Sequence, residues 1–304
     1  MDTLFLTGLT LALCTACLWA LSPLCWASAG RRIGSLPVLY LRTWGASVIL
    51  LGALALYLVV QPQARALPSA AQILWMSLSA LAGLAIGDAF SYEAMVLLGP
   101  RRSTQAIVLA PVSAVAVGWL ALGETLTVKA LLGVVTVLIA TSYAVTARPD
   151  LNSKEPGAVT ARGVLYAAGG ALAVGLGAVA ARQAFLIGPL DVLVCTTIRM
   201  TSGAVMLLAV ALLRGEVRAT CRHVRDRWVL SRLMPGLLAG PVVGMICYVA
   251  ALKYMESGLV STVSSMSPLF ILPMVSFRYQ SRIGWRAVLA TAAALAGVAL
   301  ICLR

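Results

Sequence analysis

The sequence predicts an all-α integral membrane protein with ten transmembrane helices, arranged as two inverted five-helix repeats around a central cavity. Of its 304 residues, 61% are hydrophobic and 11% are charged, which is too few charges to coat a soluble body of this size. Residues 1–147 and 158–304 read as one segment written twice, offset by 157 positions without a gap. Each copy divides into five membrane-length stretches. Because five is odd, the second copy enters the bilayer from the opposite side.

The ten stretches are each long enough to cross a hydrocarbon core, which takes roughly 20 residues in a helix. In chain order they are residues 4–28, 36–60, 71–98, 103–122, 128–146, 162–187, 191–213, 230–254, 258–278 and 285–303. Backbone groups cannot stay unpaired in lipid, so each stretch is predicted to be a helix. The two repeats are joined by a connecting loop at 148–157, and a second long connection at 214–229 carries five arginines.

Helix-breaking residues recur at equivalent places in the two repeats. Gly87 aligns with Gly244, and Pro111 aligns with Pro268. A proline inside a membrane helix removes a backbone hydrogen bond and can mark a kink that opens a cavity. We therefore predict a helix-break or gating role for these four residues, with a tolerated irregularity as the alternative.

The basic residues carry information about orientation. The formal net charge of +13 comes from Lys and Arg that lie mostly in the short gaps between apolar stretches. Sixteen of the 23 lie on the side reached after odd-numbered helices and five lie on the other side. The positive-inside rule then places both termini outside the cytoplasm. No soluble domain presents these charges, so we expect no nucleic-acid partner.

Residues suited to catalysis or metal binding do not converge anywhere in the sequence. The only histidine, His223, lies in a basic loop, and all seven cysteines except Cys221 lie in apolar stretches. Cys14 and Cys17 have the spacing of a redox or metal pair, but they lie in a hydrophobic helix without a nearby histidine, which favours simple packing. We expect no enzyme activity, no cofactor and no metal site.

Residues 87–142 resemble the repeat of the EamA-type transporters in the drug/metabolite transporter superfamily. The residues that carry the resemblance are Tyr92, Ala94, Pro111, Leu122, Gly123, Glu124, Thr127 and Gly133. The second copy keeps Gly244, Ala251, Pro268 and Gly297, but it has Gln280 and Ser281 in place of the Gly-Glu turn. The resemblance implies a ten-helix carrier that moves small metabolites, often outward. It also implies both termini in the cytoplasm, against the charge count.

A duplicated membrane domain with inverted halves is typical of carriers that open alternately to the two faces of a membrane. Together with what the resemblance implies, this predicts a secondary active transporter of small polar metabolites, an exporter of amino acids or amines, in the bacterial cytoplasmic membrane. Nothing resembles an ATP-binding loop, which leaves a proton gradient, exchange or the substrate's own gradient as the energy source. The alternatives are an exchanger of sugar phosphates or nucleotide sugars, and a channel or lipid translocase.

Acidic residues inside the bilayer are functional candidates, because charge in hydrocarbon is costly. Asp88 lies within the third helix. Glu93, five residues on, points about 140° away from it, so the two acids are predicted to serve separate sites. Tyr92 shares the face of Asp88 more closely. We predict that Asp88 binds a cation or a coupling proton beside Tyr92, with a structural ion pair as the alternative.

Other candidates lie in both halves. Arg42 and Arg199 occupy equivalent positions and are candidate anchors for a carboxylate or phosphate. Because both halves have one, a shared structural role is favoured, either snorkelling or pairing with an acid such as Asp88. Trp19 and Tyr248 are candidates to line the cavity for an aromatic or cationic ligand, against simple packing.

Glu124 is predicted to cap the fifth helix from its tight turn. Asp88, Glu93 and this turn occur in the first half only. The sequence therefore predicts that the chemistry depends on residues that are not duplicated.

Overall fold

The computed structural model describes residues 3–61, 67–98, 109–146, 160–271, 274 and 285–303, and within these ranges the secondary structure is helical with no strand. The single helices are α1 (Thr3–Ile33), α2 (Ser35–Val60), α4 (Leu109–Leu122), α5 (Val128–Thr146), α6 (Ala161–Ile187), α7 (Val192–Leu213), α9 (Ser257–Ser264) and α10 (Trp285–Cys302). Two further helices, α3 and α8, each contain a π-helical segment between two α-helical parts. In α3, Ala70–Ala80 and Asp88–Leu98 flank a π-helical segment, Leu81–Gly87; in α8, Arg227–Leu237 and Met245–Tyr254 flank Leu238–Gly244. A short helix, Val217–Arg222, and a 3-10 turn, His223–Arg225, connect α7 to α8.

The helices are apolar enough for a membrane protein. Among the described residues, six helices are long and apolar enough to cross a bilayer, and they belong to α1, α2, α3, α6, α7 and α8. Four shorter apolar helices lie at Leu109–Leu122, Val128–Tyr143, Ser257–Ile271 and Val288–Cys302. The prediction of an all-helical membrane protein is confirmed, and the count of ten crossings stays a prediction.

Several helices begin where the sequence supplies a capping side chain. The Asp191 carboxylate accepts hydrogen bonds from the backbone N–H groups of Leu193 and Val194 at the start of α7, and Asp226 does the same for α8. Ser69 and Gln72 form a reciprocal capping box at the start of α3. These caps satisfy backbone donors that a helix leaves unpaired in its first turn.

The two repeats interlock rather than lie side by side. Helices α3 and α4 of the first repeat pack on α6, which is the first helix of the second repeat. In the equivalent way, α8 and α9 of the second repeat pack on α1, the first helix of the first repeat. The remaining helices pair with their own counterparts, α2 with α7 and α5 with α10. The centre of the protein is thus built from both repeats.

The two π-helical segments are equivalents in the repeat. Leu81–Gly87 and Leu238–Gly244 are separated by the same 157 positions, and both have the pattern Leu-Ala-Gly-x-x-x-Gly. Pro241 contributes to the second segment because it lacks a backbone N–H, but the first segment contains no proline. Segments of this kind are rare and occur frequently at functional sites. They end directly before Asp88 and Met245.

Close contact between α5 and α10 depends on two glycines. A Cβ atom on Gly133 would lie 2.5 Å from the carbonyl oxygen of Gly297, and a Cβ on Gly297 would lie 2.9 Å from that of Gly133. Small residues allow such backbone approach in membrane proteins, where the hydrophobic effect does not drive helices together.

Gly133→Ala is expected to push α5 and α10 apart and to destabilise the protein by about 1–3 kcal/mol through overpacking. Thermal unfolding of the purified protein in detergent would measure the loss as a lower midpoint than wild type. Gly52→Ala is the matched control, because a Cβ on Gly52 meets nothing within 4 Å. Equal midpoints for the two variants would contradict the proposed contact.

Candidate functional site

Asp88 and Arg42 form an ion pair inside the helical bundle. The Arg42 guanidinium, on α2, donates to the Asp88 carboxylate at the start of the second part of α3. The two side chains are 17% and 26% exposed. The arginine also lies over the ring of Trp26 on α1, with Cζ 5.2 Å from the ring centroid. The ion pair thus joins three helices of the first repeat, and it matches the structural alternative that the sequence left open for both residues.

Arg199 has a different environment, although it is the counterpart of Arg42 in the repeat. Its side chain is buried, with 4% of the residue exposed, and Nη1 donates to the thioether sulfur of Met245 at 3.4 Å. Met245 is the counterpart of Asp88, so the same contact occurs in both halves with a sulfur in place of the carboxylate. The Arg199 Nε atom is buried without a hydrogen-bond partner. The two arginines therefore differ in their pairing, where the sequence favoured one shared role.

Arg199 lies against a pair of aromatic side chains, which it contacts through Tyr248. The guanidinium lies over the Tyr248 ring, with Cζ 5.3 Å from the centroid. The Tyr248 ring is 5.1 Å from that of Trp19 at an angle of 32°. Such cation–π contacts offset part of the cost of burying a cation. Trp19, Tyr248 and Arg199 therefore form one group that draws on helices of both repeats.

Asp88 interacts with both arginines, Arg42 and Arg199. Asp88 interacts electrostatically with Arg199 as well as with Arg42. Gly83, in the first π segment, lets α3 approach Arg199 closely, since a Cβ there would lie 3.0 Å from Nη2. The structure thus brings Arg42, Asp88 and Arg199 into one charged cluster, called the central cluster below.

The predicted hinge glycines each face the first helix of the opposite repeat. A Cβ on Gly87 would lie 2.8 Å from Cγ2 of Val174 on α6. A Cβ on Gly244 would lie 2.9 Å from Cδ1 of Trp19 on α1. Both glycines end a π-helical segment, so they lie where the two repeats meet and directly beside the central cluster.

The other predicted site residues lie away from the central cluster or are not among the residues that the structure describes. Glu93 is 4.0 Å from Arg162 on α6, a partly exposed pair separate from Asp88, as the angular spacing predicts. The placement of the Tyr92 side chain lies outside the described residues. Pro111 is buried near the first described residue of α4, and the stretch before it is also outside. Pro268 follows a turn at residues 265–266 that interrupts the helix beginning at Ser257.

A small cleft of about 160 Å³ opens between α2, α3 and α7 near Glu93. Its polar lining includes Ser35, Tyr40, Glu93 and Arg214. Glu216 bridges two of these residues, because its carboxylate accepts hydrogen bonds from the Tyr40 hydroxyl at 3.0 Å and from Nε of Arg214 at 2.9 Å. A second, larger cavity of about 350 Å³ has an apolar lining from α3, α4 and α6.

Glu124 does not cap the fifth helix, so that prediction was wrong. Its carboxylate accepts hydrogen bonds from the backbone N–H and the hydroxyl of Ser257, and Glu124 thereby caps the start of α9 in the other repeat. The same carboxylate lies 3.5 Å from Nε of Arg182. Arg182 in turn donates to the carbonyls at the end of α8. Thr127 is the residue that accepts from a backbone N–H of α5. The Gly-Glu turn thus ties the two repeats together.

The sequence interpretation assigns no site role to three members of the neighbourhood of the central cluster. Met245, Trp26 and Gly83 carry no charge, so nothing in hydropathy drew attention to them. The repeat does contain a signal for Met245, since it aligns with Asp88, and for Gly83, since it opens the duplicated glycine pattern. No signal of that kind points to Trp26, whose counterpart is Gln183.

An interlocked pair of helical repeats with a charged cluster in an apolar bundle defines a membrane transporter class, and comparisons with known proteins agree. The profile of the EamA-like transporter family matches residues 6–146 and 161–303. The chain belongs to this family, and it is an integral membrane transporter protein.

A solved structure described only as "Crystal structure of protein" aligns with a TM-score of 0.74 and 17% identity, over 97% of this chain and 96% of that chain. At that identity the similarity concerns the fold. The comparison with curated proteins found no match.

Proposed function

We propose that the protein is a secondary active transporter that moves small polar metabolites, with export of amino acids or amines, by alternating access across the bacterial cytoplasmic membrane. The observation that carries the proposal is the central cluster. It places two arginines and one aspartate inside an apolar bundle, where charges are costly and mark substrate or ion pathways. No enzyme activity is part of the proposal.

The interlocked repeats supply a mechanism for alternating access. If the second repeat is inverted, an arrangement open to one face has a counterpart open to the other, with the roles of the two repeats exchanged. The π segments beside Gly87 and Gly244 would be the points at which α3 and α8 change their bend. The Arg42–Asp88 ion pair would break and form again during the cycle.

Asp88 is proposed to couple transport to a gradient. When it is ionised, it pairs with Arg42 and lies in the field of Arg199. A proton or a cationic group of the substrate would compete with the arginines for its carboxylate. Release of Arg42 would then permit the helices that meet at the ion pair to move.

The exchanger of sugar phosphates or nucleotide sugars is the second candidate. It is favoured by the excess of one positive charge in the central cluster, because phosphate esters are anionic. A dianionic phosphate would require both arginines, whereas Arg42 already bonds to Asp88. The channel and the lipid translocase have no observation of their own in their favour.

Asp88→Asn is expected to abolish gradient-driven uptake of radiolabelled amino acids or amines into proteoliposomes, because the amide cannot exchange a proton or hold a cation. The near-identical shape of asparagine keeps a hydrogen bond available to Arg42. Asp191→Asn is the matched control, since asparagine also caps helices well and Asp191 lies outside the central cluster. Wild-type uptake by a folded Asp88→Asn protein would remove the coupling role.

The orientation with both termini outside the cytoplasm follows from the Lys and Arg count and remains part of the proposal. A reporter fused after Arg304 is expected to be active only if it is a type that works outside the cytoplasm. Fusion of paired reporters, one for each compartment, would measure this. Activity of the cytoplasmic reporter alone would reverse the orientation.

A further inference from the structure

The positive charge of Arg199 is the feature of the central cluster that no described side chain balances. The chain has ten acidic residues, and among the described ones Asp88 is the carboxylate that interacts electrostatically with Arg199. Asp88 is already hydrogen bonded to Arg42. Two arginines therefore share one carboxylate, which leaves one positive charge in excess inside an apolar bundle.

The remaining contacts of Arg199 do not replace an anion. The Met245 sulfur is a weak acceptor, and the Tyr248 ring provides only the attraction of its π face. The Nε–H group is buried and has no acceptor. Guanidinium groups offer five donors in a fixed fork, a geometry that matches a carboxylate. A buried arginine with unused donors is therefore prepared for an anion from outside the protein.

A comparison of the two repeats indicates which group the anion would supply to the second repeat. Each half has an arginine, and 46 residues later a side chain that accepts from it, Asp88 in the first half and Met245 in the second. The first half thus supplies its own carboxylate, and the second half has a neutral thioether at the same place. An added carboxylate next to Arg199 would give the second half the ion pair that the first half already has.

We propose that Arg199 binds the carboxylate of the transported substrate, so that the substrate class is carboxylate-bearing metabolites such as amino acids, and not amines that lack a carboxylate. This inference rests on the proposed transport function and makes its substrate more specific. Tyr248, which lies under the Arg199 guanidinium, and Trp19, which lies against Tyr248, would contact the rest of the molecule. The substrate carboxylate would give Arg199 the anionic partner that the described side chains do not supply.

The test compares molecules that differ by the carboxylate alone. The probes are L-leucine with isoamylamine, L-phenylalanine with phenethylamine, and glycerol 3-phosphate as the phosphate probe. Each is titrated into the purified full-length protein in detergent, and the thermal unfolding midpoint is recorded, since a ligand that binds the folded state raises it. We expect at least one amino acid to raise the midpoint and its amine to leave it unchanged.

Met245→Asp is the decisive variant, and Met245→Asn is its matched control. An aspartate at this position would pair with Arg199 as Asp88 pairs with Arg42, so amino acid binding should weaken by roughly 10- to 100-fold, the worth of a hydrogen bond to a charged group. Asparagine is similar in size but uncharged, so it can occupy donors of Arg199 without cancelling its charge, and it should weaken amino acid binding less than aspartate does.

A second variant covers the case in which Met245→Asp does not fold. Arg199→Lys keeps the charge but loses the planar fork, so we expect amino acids to bind roughly tenfold more weakly, with no change for amines. A merely structural role for Arg199 would change the unfolding midpoint without this difference between the paired probes.

Several results would overturn the inference. These are equal stabilisation by an amine and its amino acid, a stronger effect of glycerol 3-phosphate, unchanged binding in Met245→Asp, or no response of the wild type to any carboxylate probe. Uptake of amines by proteoliposomes without dependence on Arg199 would contradict carboxylate binding at Arg199 but would still support the proposed transport function. Carboxylate binding without uptake of any probe would support the binding site at Arg199 but would contradict the proposed transport function.

Discussion

The cost of holding charge away from water is the constraint on which this structure depends. The bundle has so few charged residues that each one inside it must be paired, capped by backbone or placed at an end. Asp191 and Asp226 cap helices, Glu124 caps a helix of the other repeat, and Arg182 binds helix-end carbonyls. Among the residues that the structure describes, the central cluster differs, because there the charges do not sum to zero.

Duplication explains why such an exception can arise. A symmetric carrier with an Arg–Asp pair in both halves would have two neutral, self-satisfied pairs and no reason to bind a charged molecule. The substitution of Met245 at the position of Asp88 leaves the scaffold intact, since both arginines make their contact with the equivalent residue. It removes one negative charge from the centre. As a result Arg42 has a carboxylate partner, whereas Arg199 contacts a neutral sulfur.

Much of the fold follows from the sequence because its signals are local or periodic. The 157-residue offset identifies the repeats, and hydropathy locates the apolar helices. The interlocking of α1 with α8 and of α6 with α3 does not follow, because it depends on small residues such as Gly87 and Gly244 meeting partners far along the chain. The π segments were also missed. Their glycine pattern is visible, but no sequence period distinguishes a π segment from an α-helix.

The site was predicted unevenly for a related reason. Charge in an apolar stretch is conspicuous, so Arg42, Asp88 and Arg199 could be named from the sequence. Their pairing could not be, because it requires knowing which helices touch. Glu124 shows the same limit, since its partner Ser257 lies 133 residues away while a plausible local partner lies three residues away. The repeat aligns Met245 with Asp88, but the sequence gives Met245 no role of its own, because its importance lies in the charge that it lacks.

The central claim is that one unbalanced cation at the meeting point of the repeats binds the substrate's carboxylate. Moving the single acid from one half to the other tests this claim most directly, by measuring amino acid binding to the double variant Asp88→Met/Met245→Asp beside Met245→Asp alone. The double variant restores the excess of one positive charge and makes Arg42 the available cation, so it should regain at least part of the binding that Met245→Asp loses. Binding no better than in the single variant would contradict the account.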